Sequence, residues 1–172
     1  MKDLGVGAYH DDTPGFEREF VVRNIAFYND ELYLINADGS KTKVDAPNSA
    51  SKSVYREWLS LELREPYTVN GKTYAAGSLI ATKFDDFMKG GRKFDVLFEP
   101  SDTTSLAGFS PTKNHFILNV LDNVKNRLYV LTHSDKGWSR EPLKGAPAFG
   151  TVSASGVDPE DSDDYFLTVT DY

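Results

Sequence analysis

The 172 residues contain no cysteine, only two methionines and two tryptophans, and 19 basic residues against 26 acidic ones. Without cysteine there is no disulfide framework, no thiolate metal site and no cysteine nucleophile. With a net charge of −7 and no Lys/Arg cluster, nothing offers phosphates a cationic face, which argues against nucleic acid and equally against an anionic membrane surface. Long apolar runs are also missing. No stretch approaches the roughly 20 residues needed to span a bilayer, and the start, MKDLGVGAYHDD, lacks the basic-then-apolar pattern of a signal peptide. A soluble chain of undetermined compartment is expected.

What is present is a folding composition, 40% hydrophobic and 13% aromatic, in a chain long enough to bury a core. The apolar residues fall in short β-branched and aromatic runs bounded by turn chemistry: residues 16–30, 31–40, 115–122, 126–133 and 164–172. Asp38-Gly39, Asn70-Gly71, Asp122-Asn123 and Asp135-Lys136-Gly137 place tight-turn residues between such runs, so the connections are read as mostly antiparallel hairpins. HFILNVLD (115–122) is apolar on both faces, with Phe116, Leu118 and Val120 on one and Ile117 and Leu121 on the other, as an inner strand requires. One helical turn or two is expected in 83–91, where Phe84, Phe87 and Met88 share a face ahead of Gly90-Gly91.

Three segments end on an extended stretch running into proline, at Pro47, Pro100 and Pro147, 53 and 47 residues apart. Each proline is followed by small polar residues and a new apolar strand. Four-stranded units of about 40–50 residues are blades of a β-propeller. The fold class expected is therefore all-β: a partial β-propeller of about three and a half four-stranded antiparallel blades, in units 1–47, 48–100, 101–147 and a shortened 148–172. The second unit carries an inserted NGKTYAAG hairpin. Because a propeller protects its edges by closing a ring, both ends are read as cuts in a longer chain, and the open strands predict a homo-oligomer. The competing architecture is a free-standing β-sandwich that binds glycans or peptides. Its sugar-stacking candidates are Tyr55, Trp58, Tyr67 and Tyr74, although Tyr67 and Tyr74 are placed to pair across a hairpin.

Candidate chemistry is sparse. The nearest approach to the GxSxG nucleophile elbow is Gly108-Phe109-Ser110-Pro111-Thr112, which lacks the second glycine, so Ser110 is read as a turn residue. His10 precedes Asp11-Asp12 near the N-terminus, His115 opens the inner strand, and His133 ends another strand next to Ser134-Asp135. Nothing in the sequence shows them converging with a serine and an oxyanion hole, and His133 is read as a strand end at the solvent edge. Asp158, Glu160, Asp161, Asp163 and Asp164 crowd one turn but lack calcium-loop spacing, and His10, Asp11 and Asp12 are too close in sequence to converge on one ion. Arg56, Arg64 and Arg92 are candidates to line a propeller channel and attract a peptide carboxylate or an acidic side chain. The expected lists of catalytic, cofactor-binding and metal-binding residues are all empty, and no cofactor is expected.

Four stretches, 8–35, 55–91, 96–131 and 155–172, resemble the propeller of bacterial members of the prolyl oligopeptidase family, and together they cover nearly the whole chain. The resemblance implies a parent serine peptidase in which a seven-bladed propeller sits beside an α/β-hydrolase domain and limits access to oligopeptide-sized substrates. The partners it implies are the missing hydrolase domain and the oligopeptide. On that reading this chain is scaffold and gate, without catalysis of its own.

Overall fold

A computed structural model describes residues 4–147 and 150–170. Among the described residues the structure is all-β apart from one short helix, and the chain falls into two compact units, 1–96 and 97–172.

The first unit opens with a sheet in simple meander order. It contains β1 (Gly5–Asp11), β2 (Arg18–Ala26), β3 (Asn29–Ile35) and β4 (Lys41–Lys43). Phe20 faces Leu34 and Val22 faces Leu32 across β2 and β3. Phe20 and Leu32 are essentially sealed from solvent, which is what alternating apolar positions achieve on one face of a strand pair. A second sheet runs β5 (Ser51–Tyr55), β6 (Trp58–Glu62), β9 (Leu79–Lys83) and β10 (Asp95–Phe98). Between β6 and β9 stands a separate hairpin, β7 (Tyr67–Val69) with β8 (Lys72–Tyr74). Its turn is the Asn70-Gly71 pair, both residues at positive φ as the two-residue hairpin turn demands. The helix α1 (Phe84–Met88) buries Phe84 and Phe87 in the core of this unit and stops before Gly90, at φ 99.

The second unit holds a four-stranded meander: β11 (Thr104–Pro111), β12 (His115–Asp122), β13 (Lys125–Ser134) and β14 (Gly137–Pro142). β15 (Thr151–Gly156) and β16 (Tyr165–Thr170) form a two-stranded sheet. β12 lies inside its sheet with Phe116, Ile117, Leu118 and Val120 buried, the position its two apolar faces predict. A smaller core joins Leu128, Leu143 and Val152.

Two local expectations are corrected. β1 was not among the expected strands, because its small residues carry little apolar signal, yet it pairs with β2 from Gly5 opposite Asn24 to Asp11 opposite Arg18. The run 16–30 is not one strand but turns at Phe27-Tyr28, with the turn-prone Asn29-Asp30 drawn into β3. Asp30 is held there by tertiary partners: its carboxylate accepts from the buried Lys52 ammonium at 2.8 Å, and its N–H donates to the Asn48 carbonyl. The turn between β5 and β6 is likewise unannounced: Arg56 takes φ 49 there, with no glycine or asparagine beside it.

Candidate functional site

Three of the polar residues singled out in the sequence, Ser110, His115 and Asp163, come together in the second unit, around the β11–β12 turn. Ser110 is not in the turn as expected but inside β11, opposite Ile117, and its hydroxyl accepts the Gly156 N–H at 3.0 Å. The turn residues after it are gripped by Asp163 from the loop between β15 and β16. One carboxylate oxygen accepts the Asn114 N–H at 2.7 Å and the Thr112 hydroxyl at 2.8 Å, and the other accepts the Asn114 side-chain amide at 2.7 Å. The ring of His115 brings Nε2 to 3.8 Å from the same carboxylate, while its Nδ1 is within hydrogen-bond distance of the Thr132 hydroxyl across the β12–β13 ladder. Burial pushes the Asp163 carboxyl up, but the hydrogen bonds from Asn114 and Thr112 and the nearby imidazole outweigh it and hold the group below its ordinary range.

Serine, histidine and aspartate thus lie in one neighbourhood, with hydrogen bonds that do not run from one to the next. The Ser110 hydroxyl bonds backbone, and His115 faces Asp163 and Thr132. A nucleophile needs its base within hydrogen-bond reach. The arrangement is a clasp that fastens the β15–β16 pair to the sheet of β11–β14. Gly156 belongs to it, because a Cβ at that position would collide with the Pro111 carbonyl.

The other candidates are dispersed. His10, on β1, stands 3.8 Å from Glu19, both well exposed. His133 packs edge-on against Trp138. Asp158 organises its own loop, its carboxylate accepting the N–H groups of Glu160 and Asp161. Among the described residues, no three histidine, aspartate or glutamate side chains gather as a metal set. Tyr67 and Tyr74 pair directly across the β7–β8 hairpin, and both meet Phe94 edge-on at about 6 Å.

The three arginines separate by environment. Arg92 lies 3.8 Å over the Phe87 ring and donates to the carbonyls of Phe87 and Gly91, and Arg56 stacks on Phe16 and Tyr55. Arg64 is exposed, with its guanidinium 4.6 Å over the Tyr28 ring. Sequence reasoning weighed Arg64 only as a channel residue and passed over Phe27 and Tyr28, for aromatics inside an apparent strand carry no signal that they form a turn.

No family model matches the chain. It is 23% identical over 135 residues to an uncharacterized peptidase of Rickettsia prowazekii, covering 74% of this chain and 19% of that protein. It is 28% identical over 152 residues to an uncharacterized peptidase of Sinorhizobium fredii, covering 84% and 21%. The chain therefore spans about a fifth of the length of these relatives. Among solved structures it superposes on a post-proline cleaving enzyme from Rickettsia typhi with a TM-score of 0.83 at 22% identity, over 97% of this chain and 25% of that one. By sequence over most of its length the chain resembles two uncharacterized peptidases, and by fold over nearly its whole length it resembles a post-proline cleaving enzyme.

Proposed function

We propose that this chain is a non-catalytic β-propeller segment of a prolyl oligopeptidase-like serine peptidase, serving as scaffold and substrate-access gate for hydrolysis of oligopeptides by an α/β-hydrolase domain elsewhere in the parent. The observation that carries the reading is the likeness in fold to a post-proline cleaving enzyme along 97% of the chain. The peptidase relatives support it from sequence. The blade reading, in units 1–47, 48–100, 101–147 and 148–172, draws support from the order of strands. Three successive four-stranded antiparallel sheets each follow the chain outward from their first strand, and a two-stranded sheet follows them. The non-catalytic reading draws on chemistry: there is no GxSxG, and the Ser110 hydroxyl is committed to the Gly156 N–H.

The purified 172-residue chain, assayed with a proline-containing chromogenic peptide, is expected to give no turnover above the buffer blank. Turnover that Ser110→Ala abolishes would overturn the non-catalytic reading. Parentage is tested separately in the reading frame that follows Tyr172, where GxSxG, then an aspartate, then a histidine are expected.

A further inference from the structure

The tip of the β2–β3 hairpin is built against ordinary turn chemistry. Tyr28 holds φ 62, in the left-handed region that favours glycine and asparagine, although Asn29 and Asp30 stand next to it in the chain. The turn also lifts two rings into solvent, Phe27 at 81% exposure and Tyr28 at 67%, set edge-to-face at 5.5 Å. Burial of apolar surface does not account for them, and strained, exposed aromatic residues are a mark of function.

Arg64 completes the corner. Its guanidinium lies 4.6 Å from the centre of the Tyr28 ring. A planar guanidinium stacked on a ring spends its face on that contact and keeps its fork of N–H donors in the plane, shaped for a carboxylate. Two acidic residues close by in the chain are engaged elsewhere, Glu65 with the Ser49 hydroxyl and Asp30 with Lys52. The corner thus presents a two-donor fork for an anion beside two rings for an apolar group, in a protein of net charge −7 that otherwise repels anions. A peptide ending in an apolar residue carries both features on its last residue.

We propose that Phe27, Tyr28 and Arg64 form a binding corner for the C-terminal carboxylate of an oligopeptide whose last side chain is apolar. This deepens the substrate-gate reading, on which it rests only for the source of the peptide. Isothermal titration of the 172-residue chain tests it with acetyl-Ala-Ala-Phe as the free acid, the same peptide as its C-terminal amide, and acetyl-Ala-Glu-Phe amide. The free acid is expected to bind. The amide, and the free acid with Arg64→Gln, should bind weaker by about tenfold or more, the loss of a charge-assisted pair. Phe27→Ala should weaken binding several-fold.

Tyr28→Gly separates binding from folding. Glycine suits φ 62, so this variant should melt at or above the parent temperature yet lose the peptide. Equal binding of acid and amide, undiminished binding by all three variants, or no binding at all overturns the corner. So does a marked fall in the Tyr28→Gly melting temperature, which would make the ring structural. Glu-amide binding equal to the free acid would assign the corner to side-chain carboxylates and overturn the C-terminus, and sedimentation showing self-association that Tyr28→Gly abolishes would assign it to a second copy. A failed titration leaves the parentage standing. A following frame without a hydrolase motif removes the parentage and leaves the binding result untouched.

Discussion

Asp163 does its work through three neighbours, Thr112, Asn114 and His115, which lie within a few residues of one another in the chain and about fifty from itself. Three hydrogen bonds converge on its carboxylate, from the Asn114 N–H, the Asn114 amide and the Thr112 hydroxyl. Such bonds form best to the ionised group, and they hold its folded pKa below the unfolded value of 3.8. A carboxyl depressed in this way contributes stability that is fully present above its unfolded pKa and lost as pH falls through the folded one. The expected behaviour is a melting temperature that drops on acidification below about pH 4. Asp163→Ala should lose roughly 1 kcal/mol at neutral pH, because its bonds to the exposed Asn114 are screened by solvent and only Thr112 among its partners is buried, and should flatten the acid limb of a melting-temperature profile. An unchanged profile in that variant would mean the clasp carries no stability. Nothing in the sequence singles out Asp163 from the four other acidic residues of its loop, since only the folded chain brings it to Asn114.

At the scale of elements, the inserted hairpin was legible in sequence, for Asn70-Gly71 fixes its turn and Tyr67 and Tyr74 fall opposite each other as their spacing implies. What they close upon was not legible. Phe94 lies twenty residues beyond Tyr74 and receives both rings edge-on, with Phe87 of α1 at 6.0 Å on another side. Phe94→Ala should therefore cost roughly 3–5 kcal/mol, as truncation of a buried aromatic does, and loosen hairpin and helix together. Hydrogen exchange read residue by residue checks this, with faster exchange expected in both 67–74 and 84–88. Exchange confined to the helix would separate the two elements. The turns at Phe27-Tyr28 and Arg56 escaped the sequence for the opposite reason: neither contains a residue that prefers positive φ, and tertiary contacts to Asp30 and Arg18 hold the flanking strands in register.

For the molecule as a whole, every sheet is open, and β16 stands at an edge among the described residues. Its sequence, YFLTVT, has no charge, proline or glycine to blunt pairing with another strand, and Phe166 and Val169 are exposed. Concentration-dependent association is expected in sedimentation velocity, and Thr168→Lys should suppress it without lowering the melting temperature; a monomer at every concentration would count against edge pairing. The sequence by itself determined the all-β class, most of the hairpin turns and the inner place of β12, because these follow from side-chain alternation and from residues that tolerate left-handed backbone within a few positions. Tertiary structure alone decided where Asp30 would sit, which carboxylate would close on the β11–β12 turn, and that Phe27, Tyr28 and Arg64 would meet at one corner. Those outcomes join residues tens of positions apart, and local periodicity holds no information about them.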